Sequence, residues 1–137
     1  MGKFLKYLLN ETKAKMDIKM DKFMQAYVEA ALWSSTDDND DALDANYSVS
    51  DIAEDTLDSM RADCEKFKKE NETLYDEGGW DDEQAGHDFW LTRNGHGAGF
   101  WDRAGKFDEE VGKKLTKAAK EYGTVDLLVG DDGKIHG

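Results

Sequence analysis

The chain is predicted to fold as a single α+β domain over residues 1–137, with N-terminal helices packed on a small antiparallel sheet made of two hairpins with an intervening helix. Three observations carry this expectation. Apolar residues recur at helical spacing in the first half of the chain. After Gly86 the pattern changes to strand formers arranged around Asn94-Gly95. Strands and helices do not alternate as they do in parallel α/β folds.

The elements follow in order. Phe4, Leu5, Leu8 and Leu9 share one helical face, with Lys3 and Lys6 opposite; residues 1–16 read as a helical N-terminal extension. Met20, Phe23, Met24, Tyr27, Val28, Ala31 and Leu32 trace an apolar stripe over Asp17–Ser34. Ser34-Ser35-Thr36 and the acidic run after it end that helix, because their side chains compete for backbone hydrogen bonds. Ser50 is the expected N-cap of a third helix. Ile52, Leu57, Met60, Cys64 and Phe67 form its inner face, and it runs to about Leu74 before Gly78-Gly79 breaks it.

His87–Arg93 and Gly99–Arg103 are rich in strand formers, and Asn94-Gly95 supplies the positive φ angles of a tight connection, so 87–103 reads as a hairpin. A helix is expected over Lys106–Tyr122, stopped by Gly123. Val125–Val129 and Lys134–His136 form the second hairpin around Gly130-Asp131-Asp132-Gly133.

Charge is distributed unevenly. The 137 residues carry a net −13. Residues 37–88 hold nineteen acids and four bases, whereas residues 89–137 hold eight of each. An acidic surface argues against direct nucleic-acid binding, which relies on Lys and Arg displacing counterions from phosphates. It suits instead a partner protein with a basic surface. No apolar run approaches the roughly 20 residues of a membrane span, and no signal peptide opens the chain. The single cysteine, Cys64, excludes an internal disulfide framework and fits a reducing compartment.

Two sets of residues stand out as candidate sites. The first is an acidic partner-binding surface of Asp37, Asp38, Asp40, Asp41, Asp44, Asp81, Asp82 and Glu83. Trp80, among those acids, is read either as a core plug or as an interface anchor; Trp33 is expected in the core. The second set is the polar content of the 87–103 segment: His87, Asp88, Arg93, Asn94, His96, Asp102 and Arg103. Imidazole, carboxylate and guanidinium groups at one place suit acid–base chemistry or a small-molecule or nucleotide site.

Sharper motifs fail. Gly95–Gly99 lies between strand-like segments rather than at a helix N-terminus, as a phosphate loop would. Asp37, Asn39 and Asp41 match the start of a calcium loop, but Ala42 and Ser48 replace its glycine and closing glutamate. His87, His96, His136 and Cys64 have no metal-ligand spacing. No catalytic residue, metal or cofactor is assigned from the sequence.

The stretch Gln84–Arg103, AGHDFWLTRNGHGAGFWDR with the preceding Gln, resembles a segment found in small proteins encoded by bacteriophages, prophages and plasmids. Ala31–Asp37 and Val129–Ile135 are similar to two further blocks of the same family, so the likeness runs from about residue 26 to the C-terminus. That family has no settled activity, and no catalytic residues carry over. The resemblance implies a mobile-element product acting in a bacterial cytoplasm, where small acidic proteins occupy sites that host proteins reserve for DNA. The expected function is thus an anti-defence or related binding protein that engages a host nucleic-acid-handling protein by DNA mimicry. A small-molecule or nucleotide-binding domain is the alternative.

Overall fold

A computed structural model describes residues 20–96, 98–103 and 105–137. The expected extension over 1–16 lies outside the described residues. Four α-helices are described: α1 (Lys22–Ser34), α2 (Glu54–Glu77), α3 (Asp82–Arg93) and α4 (Glu109–Lys120). Single 3-10 turns occur at Leu43–Ala45, Val49–Asp51 and Phe100–Asp102, and two short strands, β1 (Leu128–Val129) and β2 (Ile135–His136), follow α4.

Three helices begin on an aspartate whose carboxylate accepts a backbone N–H in the first turn. Asp21 takes Met24 N at 2.8 Å, Asp81 takes Gln84 N at 2.7 Å and Asp108 takes Val111 N at 2.9 Å. The third helix was expected to start at Ser50. Instead Ser48 caps the Val49–Asp51 turn with a reciprocal capping box, and α2 starts at Glu54. Ala53, just before it, donates its N–H to Ile135 O at 2.8 Å. α2 ends where expected, at Gly78-Gly79; Gly79 has φ +100°, which favours glycine.

α1 and α3 make the most extensive contact in the molecule and run in the same direction. At one end Lys68 bridges Asp21 and Asp82, both at 3.3 Å. At the other, Trp90 Nε1 donates to Ser34 Oγ at 2.8 Å. The crossing is close enough that a Cβ on Gly86 would lie 1.9 Å from Phe23 O. α2 and α4 close over this pair. Phe67 of α2 stacks on Phe89 of α3 with centroids 4.2 Å apart, and Tyr27 meets Trp90 edge-on at 5.3 Å. Such aromatic pairs add about 0.5–1.5 kcal/mol each beyond their buried area.

The structure keeps the α+β character but corrects its arrangement. One hairpin is described rather than two: β1 and β2 pair antiparallel with Leu128 opposite His136 and Val129 opposite Ile135. The helices pack chiefly on one another, and the β pair joins them through an isolated parallel bridge from Ile52 to Ile135. The 87–103 segment is not a hairpin. Residues up to Arg93 complete α3, and Phe100–Asp102 is a 3-10 turn.

The physical reason lies in burial. Ala85, Gly86, Asp88, Phe89, Trp90, Leu91, Thr92 and Arg93 are all buried, so α3 is covered nearly all round and shows no amphipathic stripe. A short apolar run without periodicity fits a buried helix as well as a strand. Asn94-Gly95 supplies the positive φ expected of it, but as a helix stop. Gly95 has φ +71°, with Gly95 N bonded to Thr92 O and His96 N to Leu91 O.

Candidate functional site

Asp88 is the hub of the polar residues on α3. Its side chain is fully buried and accepts from Trp80 Nε1 at 2.9 Å, Gln84 Nε2 at 3.0 Å and Arg103 Nε at 2.9 Å. Arg103 Nη2 and His87 Nδ1 also meet its Oδ1. Burial alone would favour the neutral acid. The hydrogen bonds from His87, Arg103 and Trp80, with the charge of Arg103, outweigh it and hold the Asp88 carboxyl below the usual carboxylate value. Asp88 thus serves as an internal anion that fixes four surrounding side chains.

Three of those side chains, His87, Arg103 and Gln84, reach the surface. His87 and Arg103, with Ala26, Glu29, Asp81, Glu83 and Gln84, line a groove of about 290 Å³ between α1 and α3. Beside it, Trp33 is 48% exposed and faces the ring of the groove-lining His87, centroids 6.0 Å apart and planes 30° from parallel. The groove therefore offers three carboxylates, one guanidinium anchored from behind by Asp88, and an indole edge. Among the described residues no cluster of His, Cys, Asp and Glu is arranged to hold a metal ion.

The remaining residues of the 87–103 set lie elsewhere. Arg93 is buried and donates to Tyr27 Oη at 3.0 Å, Asp63 at 2.8 Å, Gly123 O at 2.8 Å and Tyr122 O at 3.0 Å. It ties the end of α4 to α1 and α2. Asn94 accepts from Val125 N at 2.7 Å and donates to Trp90 O at 2.9 Å. His96 lines a second cavity, and Asp102 is exposed. The seven side chains do not converge on one pocket. Because Arg93 is spent on internal bonds, Arg93→Ala is expected to lower stability by about 3 kcal/mol, since it strands a buried hydroxyl and two carbonyls. Chemical denaturation measures this, and partner binding by the folded variant should not change.

The acidic residues fall into two groups. Asp37, Asp38, Asp40, Asp41 and Asp44 follow the C-terminal end of α1, where the Asp37 carboxylate accepts from Asn39 N and Asp41 N. Asp81, Asp82 and Glu83 sit at the N-terminal end of α3, roughly 20 Å away along the parallel helices at 1.5 Å per residue. Asp81 caps α3, and Asp82 accepts from Tyr75 Oη at 2.7 Å and Lys68 Nζ at 3.3 Å. Asp82 is half-buried, whereas Glu83 is exposed.

Of the two tryptophans, one settles between its two readings and the other departs from expectation. Trp80 is 2% exposed with its indole N–H on Asp88, so it presents no surface to a partner and acts as the core plug. Trp33, expected in the core, is the exposed one. The signal for Trp33 was present in the sequence. Lys22, Gln25, Glu29 and Trp33 share the outer stripe of α1, opposite the apolar one. Glu29 belongs to the groove for the same reason. Cys64 is buried, and burial with the nearby Asp21 and Asp63 charges pushes its thiol well up, away from a reactive thiolate. No described helix is long and apolar enough to cross a membrane.

No protein-family model, curated protein or solved structure matches the chain.

Proposed function

We propose that this chain is a non-catalytic binding protein that engages a basic host protein through the α1–α3 groove. The observation that supports it is the exposed Trp33, held against His87 at the edge of a groove walled by Glu29, Asp81 and Glu83. An aromatic anchor rimmed by charge is the usual composition of an interface hot spot. Carboxylates on the wall favour lysine or arginine side chains of the partner. With the sequence resemblance, the reading becomes a mobile-element protein that occupies a nucleic-acid-handling or defence protein of its host, its carboxylates standing in for phosphates.

The alternative, a small-molecule or nucleotide site, is favoured by one feature: the His87–Asp88–Arg103 cluster opens into the groove. Three carboxylates beside a single guanidinium oppose a phosphate ligand, so the protein–protein reading is preferred.

The test is retention of host proteins on the immobilised chain, comparing wild type with Trp33→Ala and Glu29→Lys, at low salt and at about 0.5 M salt where screening is strong. A specific partner should be lost from both variants and weakened by salt, with Trp33→Ala costing about tenfold or more in affinity. Retention that ignores both substitutions and salt defeats the proposal. Equal stability of Trp33→Ala and wild type confirms that the effect is not unfolding.

A further inference from the structure

We infer that a second site, separate from the α1–α3 groove, takes an extended basic peptide by adding it as a strand along the outer edge of residues 127–129. This rests on different observations from the groove and does not depend on it.

A cavity of about 490 Å³ lies beside β1. One wall is residues 124–128 and the other is Ser34, Ser35 and Thr36; Trp90, Asn94 and His96 complete the lining. Its size falls within the range of about 300–1,000 Å³ typical of ligand sites.

Among the described residues, backbone groups on both walls, at Leu127, Val129 and Thr36, point outward without a hydrogen-bond partner. In the antiparallel register, Leu128 pairs with His136, and Gly130 N donates to Lys134 O at 2.8 Å across the Val129–Ile135 pair. Alternation then turns the N–H and C=O of Val129 and Leu127 away from β2. The N–H of Val125 is already donated to the cavity-lining Asn94 Oδ1 at 2.7 Å, so the open part of the edge begins at Leu127. Leu127 makes no backbone hydrogen bond among the described residues.

The opposite wall repeats this geometry. Thr36 bridges Ala42, and the flanking bonds are Leu43 N to Ser35 O and Asp37 N to Asp41 O, both 2.9 Å. That is the pattern in which the bridge residue's own N–H and C=O face away from its partner. Thr36 therefore also presents an edge without a partner among the described residues, and Leu128, 66% exposed, adds an apolar contact at the mouth.

A strand entering here meets donors and acceptors at strand spacing, which is the basis of recognition by β-addition. The charge of the lining selects the occupant. Asp126 contributes a carboxylate, Asp37 and Asp38 adjoin Thr36, and no Lys or Arg among the described residues lines the cavity.

The experiment titrates the full chain, with backbone amides labelled, with an end-capped peptide of alternating lysine and valine about eight residues long. The amide signals of Leu127, Val129 and Thr36 should shift, and exchange at Leu127 and Val129 should slow. The same peptide N-methylated at alternate residues should bind about tenfold or more weakly, because it keeps the charge and loses the strand hydrogen bonds. Val129→Pro should have a similar effect, since it removes an outward donor and none of the β1–β2 bonds. If that variant fails to fold, the N-methylated peptide still decides. Equal binding of the two peptides, or shifts confined to the acidic residues, overturns the inference. Protection of Leu127 and Val129 in a dimer without peptide overturns it too, because a second copy would then hold the edge.

Discussion

Gly86→Ala is expected to lower stability by about 3 kcal/mol or more, a large part of the roughly 5–15 kcal/mol that holds a typical domain. The added Cβ would lie 1.9 Å from Phe23 O and 2.7 Å from Phe23 C. Those are backbone atoms of α1, so no side chain can rotate aside. Relief requires the two helices to separate, and separation breaks the Tyr27–Phe89 and Phe23–Phe89 contacts packed below the crossing. Gly95→Ala is the control. Its position has φ +71° and open space around a Cβ, so only the backbone cost of about 1–2 kcal/mol applies. Urea unfolding midpoints compare the two. A Gly86→Ala protein as stable as wild type would mean that α1 and α3 do not cross here.

Asp88→Ala should cost about 3–5 kcal/mol, the usual penalty for removing one partner of a buried ion pair. It leaves Arg103 without its anion and the buried Trp80 N–H without an acceptor. Asp88→Asn keeps the shape and one acceptor, so it should lose less. The pH dependence has a definite sign. The folded state holds the Asp88 carboxyl below its ordinary value, so its contribution is complete above the unfolded pKa of roughly 4. That contribution fades as pH falls from there through the lower folded value. Stability measured from neutral pH down into acid should therefore decline more steeply for wild type than for Asp88→Asn. Parallel curves would show that the charge on Asp88 contributes nothing. Freed from Asp88, Arg103 should also lose its fixed position in the groove, linking this core carboxylate to partner binding.

Much of the helical architecture was legible from residue spacing. The inner stripe of α1, the inner face of α2 and the stop at Gly78-Gly79 all follow from one-sided burial, which leaves a 3.6-residue period in the sequence. The β1–β2 hairpin was legible because Gly130–Gly133 can do little but turn. α3 was not, for a reason visible in its own residues. Phe89, Trp90 and Leu91 are strand formers by composition, yet they are buried on several sides of a helix whose contacts come from α1, α2 and α4. The one local sign of its start was Asp81 followed by Asp82, Glu83 and Gln84, an N-cap and acidic first turn that also reads as an acidic surface.

The candidate site divides along the same line. Its chemistry was present in the sequence: His87, Asp88, Arg103 and the acids around residue 81 were all singled out. Their roles depended on neighbours distant in the chain. Asp88 became an interior anchor because Trp80 and Arg103 come to it from either side, and Arg93 became a clamp because Tyr122 and Gly123 return to it. Trp33 left the core expected for it, and Trp80 took the core position of its two readings, for the same reason.

By itself the sequence determined the α+β composition, the helical stripes and the concentration of negative charge in residues 37–88. Those are properties of spacing and composition along one segment. Only the tertiary structure decided which polar groups are spent internally and which face solvent, because burial and hydrogen bonding belong to pairs of segments that the chain brings together.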